Sequence, residues 1–109
     1  MANVSAVASR LVEYIARKSV GLPVDDSDLR RLTGSVLFPV MRDVVNRVAS
    51  NITTTKNGLP RCRLCGKGPF TRRGLYLHLV RVHKYDIIAL VEEEYKRIID
   101  IITPFDRKY

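Results

Sequence analysis

Residues 61–83 read RCRLCGKGPFTRRGLYLHLVRVH and contain every cysteine and histidine of the 109-residue chain. Two residues separate Cys62 from Cys65, twelve separate Cys65 from His78, and four separate His78 from His83. Zn²⁺ prefers a tetrahedron of thiolate and imidazole ligands, which a Cys-x-x-Cys turn and two histidines about one helical turn apart supply. We therefore predict one structural zinc ion, with no position left for a catalytic water. The alternative is a pair of buried cysteines and two unrelated histidines.

In these ligands and their spacing, residues 59–83 resemble the C2H2 zinc finger family. The resemblance implies a ββα fold in which a hairpin carries the cysteines and a helix carries the histidines. Phe70 and Leu75 match the family's aromatic and leucine core positions. Four residues separate Cys65 from Phe70, where the family commonly has three, and four rather than five separate Phe70 from Leu75. We expect a slightly altered hairpin and intact ligation.

Family fingers read bases in the major groove with side chains at helix positions −1, 3 and 6. Counting back from His78 as position 7, the resemblance places Thr71, Gly74 and Leu77 at those positions. Glycine has no side chain to contact a base, and leucine offers only an apolar contact to a thymine methyl. The motif thus predicts zinc strongly and base specificity weakly.

The positive charge of the chain is concentrated around this motif. The formal net charge is +8 and the isoelectric point is about 9.9. Residues 56–85, which we call the basic segment, hold eight Lys or Arg and no Asp or Glu, so they account for the whole excess. Such a cluster predicts a polyanionic partner. The candidate nucleic-acid contacts are Arg61, Arg63, Lys67, Thr71, Arg72, Arg73, Arg81 and Lys84.

Amphipathic helices are predicted before the basic segment. Apolar residues at helical spacing favour helices over Val4–Val20, Asp28–Thr33 and Ser35–Asn51, which together form an N-terminal bundle over residues 1–52. Gly21-Leu22-Pro23 is expected to end the first helix. Asp26 or Ser27 is expected to cap the second helix, and Gly34 to end it.

The remaining segments are predicted from turn chemistry and periodicity. Residues 53–60, with three threonines between 53 and 55 and Asn57-Gly58, are interpreted as a linker that separates the bundle from a finger at 61–85. A final packing helix is expected over Asp86–Thr103, followed by a tail at 104–109. The predicted fold class is mainly α: a helical bundle, one small ββα finger and a long C-terminal helix.

The apolar faces of these helices raise the question of what covers them. We predict a homodimer, because the faces look larger than one finger can bury; the alternative is that the helices cover one another as one core. Tyr76 and Tyr85 flank the finger helix, and packing is a simpler role for them than stacking on bases.

Composition excludes several classes of protein. No stretch of eighteen apolar residues lacks a charge and no signal sequence is recognised, so neither membrane insertion nor secretion is expected. Two cysteines with a metal-binding spacing favour an intracellular protein, in the cytoplasm or nucleoid or in a host cell if viral. The Arg-, Ile- and Val-rich style is similar to that of small proteins of archaea and their viruses.

Function is predicted from charge and motif together. No P-loop or activated nucleophile is present, so we expect neither an enzyme nor a small-molecule substrate. The predicted function is that of a zinc-dependent, duplex-DNA-binding protein, a small dimeric transcriptional regulator. The alternatives are a protein-interaction adaptor with a structural finger and an RNA-binding protein.

Overall fold

The computed structural model describes residues 2–102, with side chains from residue 7 to residue 101. Four helices and two strands follow one another along the chain: α1 (Ala2–Val20), α2 (Asp26–Asn51), β1 (Thr53–Lys56), β2 (Leu59–Cys62), α3 (Arg72–Val82) and α4 (Lys84–Ile102). The mainly helical class is confirmed, and the predicted tail at 104–109 lies outside the described residues. Among the described helices, none is long and apolar enough to cross a membrane.

Helix α1 ends in a glycine turn, as the sequence predicts. The N–H of Gly21 donates to the carbonyl of Lys18 at 3.2 Å, and the N–H of Leu22 donates to that of Arg17 at 2.9 Å. Gly21 adopts φ +82°, a conformation that costs glycine little. This pair of bonds satisfies two carbonyls of the last turn and fixes the direction in which the chain leaves α1.

The two predicted helices over residues 28–51 form one element, α2, with a kink at Gly34. Gly34 has φ 82° and ψ 159°, which breaks the helical geometry where the sequence predicts an end. The N-cap prediction is wrong by one residue: the Asp25 side chain accepts the N–H of Ser27 at 2.9 Å. Asp26 instead accepts the hydroxyl of Tyr14 at 2.8 Å. Burial and this hydrogen bond raise the pKa of Tyr14 to about 12.

The interpretation of residues 53–60 as an irregular linker is wrong. Thr53–Lys56 pairs with Leu59–Cys62 in an antiparallel ladder that aligns Lys56 with Leu59. Both loop residues, Asn57 at φ 56° and Gly58 at φ 79°, have positive φ. That is the type I′ turn, whose twist matches the flanking strands and which Asn-Gly adopts readily. The segment is therefore a hairpin, and the sheet begins earlier than the finger boundary predicted from the sequence.

One apolar core joins all four helices. We call β1, β2 and α3 with their connections, residues 53–83, the finger region, and α1, α2 and α4 the helical body. Fully buried side chains of the body pack in the same cluster as those of the finger region: Ile15, Leu29, Val44, Ile52, Leu75, Leu79 and Ile87. The helices thus cover one another in this core, and the homodimer stays a prediction. Helices α3 and α4 are separate, with His83 between them.

Candidate metal centre and basic surface

Four side chains, two cysteines and two histidines, meet beside the hairpin. Cys62 is the last residue of β2, Cys65 follows in the next turn, His78 lies on α3 and His83 caps the end of α3. Their candidate ligand atoms all lie within 4.8 Å of one another. The Sγ of Cys65 is 3.3 Å from Nε2 of His78. These separations are close enough for the four groups to hold one metal ion.

Backbone hydrogen bonds shape the turn that carries the two cysteines. The N–H of Gly66 donates to the carbonyl of Cys62, and the N–H of Cys62 donates to the carbonyl of Lys67, both at 2.9 Å. The two cysteines lie at opposite extremes of solvent exposure, since Cys62 is buried and Cys65 is exposed. The turn therefore presents one thiol from the core and the other from the surface.

His83 is held by a residue that the sequence reasoning missed. Its Nδ1 lies 2.8 Å from Oδ2 of Asp86, and a carboxylate can only accept, so Nδ1–H donates. The other ring nitrogen, Nε2, is buried and has no hydrogen-bond partner among the described residues. A metal ion would give this nitrogen the partner that a buried polar atom requires. The signal in the sequence was an acid three residues after a histidine in a helical pattern.

The two thiols differ in acidity. The backbone N–H of Lys67, followed by the nearby imidazole of His83, lowers the pKa of Cys65 to about 6. Burial raises the pKa of Cys62 above its ordinary value. Thiolates are the metal-binding form, so Cys65 is prepared to bind at neutral pH, whereas a metal ion must displace a proton from Cys62.

The apolar residues predicted to support the finger do pack there. Phe70 is half-buried and its ring stacks on His78, with centroids 4.9 Å apart and planes 28° apart. Leu75 is fully buried under α3. The one-residue shift in their spacing is absorbed by the loop between β2 and α3, in which Phe70 donates its N–H to the carbonyl of Pro60 at 2.9 Å.

The predicted nucleic-acid contacts lie mostly at the surface. Among them, Arg61 and Lys84 are half-buried and the others are exposed: Arg63, Lys67, Thr71, Arg72, Arg73 and Arg81. The ion pairs found within the described part of the chain use Arg31, Arg47, Arg97 and His83. No Lys or Arg of the basic segment takes part in any of these pairs, so its charge is uncompensated there.

The three positions that would read bases are engaged in the finger itself. The hydroxyl of Thr71 accepts the N–H of Gly74 at 2.9 Å and so caps α3. Gly74 and Leu77 are half-buried. A Cβ at position 74 would lie 3.0 Å from the Thr71 hydroxyl oxygen, so even a small side chain there would press on the cap. The geometry thus favours a capping role for Thr71, with Gly74 as its partner.

The structure adds one basic residue from the helical body to this surface. Cζ of Arg17, in the last turn of α1, lies 5.1 Å from the centre of the Tyr76 ring on α3. No sequence pattern predicts this contact, because it depends on the packing of α1 against α3. Tyr85, by contrast, is 78% exposed, so the packing role expected for it is not observed.

Comparisons with known proteins give no family assignment for this chain. No protein-family model, no curated protein and no solved structure matches it significantly.

Proposed function

We propose that this protein binds duplex DNA through the basic segment, in the role of a small transcriptional regulator, and that zinc bound by Cys62, Cys65, His78 and His83 holds the segment in shape. The observation that carries the proposal is a surface of uncompensated, mostly exposed lysine and arginine side chains arranged around a candidate metal centre. Phosphates are the ligands for which such a surface is best suited.

Zinc is the metal that this donor set favours. Two thiolates and two imidazoles match its preference for tetrahedral sulfur and nitrogen ligands. With four protein ligands, the ion is structural and supplies folding energy rather than a bound water. Elemental analysis of the purified protein tests this directly. We expect one zinc per chain, and none in the Cys62→Ala variant.

The proposed finger is a ββα unit made of β1, β2 and α3. Support comes from the order of the elements and from the Phe70 and Leu75 packing beside the candidate ligands. Because Thr71 caps α3 and Gly74 has no side chain, we propose that DNA is held mainly through its backbone, with little discrimination between sequences.

A homodimer extends this proposal, since one finger spans only about three base pairs. The helical body keeps one apolar groove of about 360 Å³ between α1 and α4, lined by Val7, Ala8, Leu11, Val12, Ile88, Val91 and Glu92. A symmetric contact there would place two basic segments on one duplex. Sedimentation equilibrium with and without DNA distinguishes a dimer from a monomer.

Duplex binding is tested by titrating zinc-loaded protein into a labelled random-sequence duplex at several salt concentrations and following fluorescence anisotropy. We expect micromolar or tighter binding that weakens steeply as salt rises. The Lys96→Ala variant, which removes an exposed charge of α4, is expected to retain the native salt dependence. Absence of binding at low salt would contradict the proposal and favour a protein-interaction adaptor.

RNA is the second candidate ligand, and Tyr85 favours it. This ring is 78% exposed at the end of the basic segment, with the Lys84 ammonium 5.6 Å from its centre. Exposed aromatic rings beside cations stack on unpaired bases. A single-stranded RNA that outcompetes duplex DNA, with the preference lost in Tyr85→Ala, would support this candidate over the first.

A further inference from the structure

Where α1 packs against α3, each helix places one arginine against the other helix. Arg17 of α1 lies over the ring of Tyr76 on α3, and Arg72 of α3 lies over Gly21 at the end of α1. Gly21 comes four residues after Arg17, whereas Arg72 comes four residues before Tyr76. The helices run antiparallel here, and the two contacts lie four residues, about 6 Å, apart along the helix axes.

Each guanidinium is supported by the opposite helix. The Tyr76 ring provides a flat face for Arg17, with 5.1 Å between Cζ and the ring centre. A Cβ on residue 21 would lie at the ordinary van der Waals distance of 3.9 Å from Cζ of Arg72, so this guanidinium packs close to the backbone at Gly21. Both arginines are nevertheless exposed, and neither belongs to an ion pair in the described part of the chain.

We infer that Arg17 and Arg72 form a phosphate-binding pair, and that α1 is thereby part of the nucleic-acid interface. This inference rests on the proposed function and names its ligand: two phosphates of one strand of duplex DNA. The helical body is then more than a scaffold, because it supplies one of the two arginines that bind the phosphate backbone of the DNA.

Support from the opposite helix explains why these two arginines are suited to this role. A guanidinium stacked on a ring keeps its N–H edge free for a phosphate oxygen while its plane is already oriented. Less side-chain freedom is lost on binding than for an unsupported arginine. Neither arginine is paired with an acid among the described residues, so neither has to leave an ion pair in order to bind a phosphate.

The inference is tested with Arg17→Ala, measured against Lys96→Ala as a control that removes one exposed charge from α4. A phosphate contact contributes about 0.9 to the slope of log affinity against log salt. We expect Arg17→Ala to lower this slope by about one unit and to weaken binding about five- to tenfold at 0.1 M salt. Lys96→Ala is expected to leave the slope unchanged.

A second pair of variants tests the role of the ring. Tyr76→Phe keeps the face under Arg17 and is expected to bind duplex as the native protein does. Tyr76→Leu keeps apolar packing but removes that face, and is expected to weaken binding severalfold. One zinc per chain in every variant establishes that the metal centre is intact, so that a change in binding reflects the surface.

The outcomes separate this inference from the proposed function. If the native protein does not bind duplex DNA, both are overturned. If it binds with steep salt dependence but Arg17→Ala behaves like Lys96→Ala, the pairing of Arg17 with Arg72 is wrong while DNA binding stands. Equal affinities for Tyr76→Phe and Tyr76→Leu would overturn the proposed role of the stacked ring.

Discussion

The helical body and the finger region are stabilised in different ways. The body buries whole faces of α1 and α2, whereas in β1 only Thr53 is even half-buried. In the hairpin, the buried side chain is Cys62, one of the candidate metal ligands. A hairpin with so little apolar burial needs a further source of stability, and metal ligation is the source its residues offer.

The two regions are nevertheless joined more firmly than a linker would allow. Leu75 and Leu79 of α3 are fully buried in the same cluster as the residues of the body. The hydroxyl of Thr53 also donates to the carbonyl of Ser19 at 2.9 Å, which ties the hairpin to the end of α1. The comparison teaches that the region carrying the candidate metal ligands shares one core with the helical body.

Removing the metal is expected to have the largest effect on the stability of the finger region. Zinc contributes on the order of 10 kcal/mol to the folding of isolated fingers, which is comparable with the whole stability of a small domain. With a chelator present, we expect fast amide exchange throughout β1 and β2, while α1 and α2 retain protected amides. Hydrogen exchange read by mass spectrometry measures both regions in one experiment.

The Cys62→Ala variant is the control for this experiment, because a chelator should change nothing further once a ligand is missing. Slow exchange in the hairpin of the chelated native protein would contradict the metal dependence of the finger region. Equally fast exchange in α1 would instead mean that the body, too, depends on the metal.

A matched pair of leucines tests how far the core is shared. Leu29 in α2 and Leu79 in α3 are both fully buried. We expect Leu29→Ala and Leu79→Ala each to destabilise the zinc-loaded protein by about 2–5 kcal/mol. If the core is shared, thermal unfolding of both variants remains a single transition at a lower Tm. A separate early transition in Leu79→Ala alone would show that the finger region unfolds independently.

Sequence reasoning succeeded where local chemistry decides the structure. The ligand spacing identified the four residues that meet in the cluster, and the apolar period located α1 and α4 to within two residues. The break at Gly34 and the glycine turn after α1 were predicted for the same reason, since glycine alters the backbone whatever surrounds it.

It failed at the hairpin through a misinterpreted signal. Asn57-Gly58 is a strong type I′ signal, but the flanking strands lack apolar alternation because Cys62 is their one buried side chain. The contact of Arg17 with Tyr76 could not be predicted, because it depends on how helices pack. DNA binding and the homodimer remain predictions.

Asp86 connects the metal centre to the body, and its loss is expected to have an intermediate effect. It lies in the first turn of α4 and accepts Nδ1–H of His83. Carboxylates that orient a ligating histidine typically contribute 10- to 100-fold to metal affinity. We expect a loss of this size in Asp86→Ala, measured by competition with a chromophoric chelator.

Asp86→Asn can still accept the hydrogen bond, so we expect it to recover part of this loss. Glu93→Ala, which removes an exposed acid of the same helix, is the matched control and should bind zinc as the native protein does. Native affinity in Asp86→Ala would mean that the carboxylate does not orient His83. The cobalt-substituted protein offers a second measure, because its visible spectrum reports ligand geometry.

The smallest expected effects concern the two helix caps, one in each region. Asp25 caps α2 and Thr71 caps α3, each accepting one backbone N–H at 2.9 Å. Replacing either by alanine is expected to lower the Tm of the zinc-loaded protein by a few degrees. After chelation, Asp25→Ala should keep its effect, because α2 belongs to the body, whereas Thr71→Ala should lose most of its effect. An undiminished Thr71→Ala effect would place the start of α3 within the metal-independent body.

Acid distinguishes the two caps further. Hydrogen bonds from Ser27 lower the pKa of Asp25 below its ordinary value of 3.8. The stability that this carboxylate contributes is therefore complete above pH 3.8 and is lost as the pH falls through the native pKa. In the metal-free protein, where acid cannot act by releasing zinc, the Tm difference between native and Asp25→Ala chains should shrink below this pH. A constant difference would show that Asp25 stabilises α2 by something other than its charge.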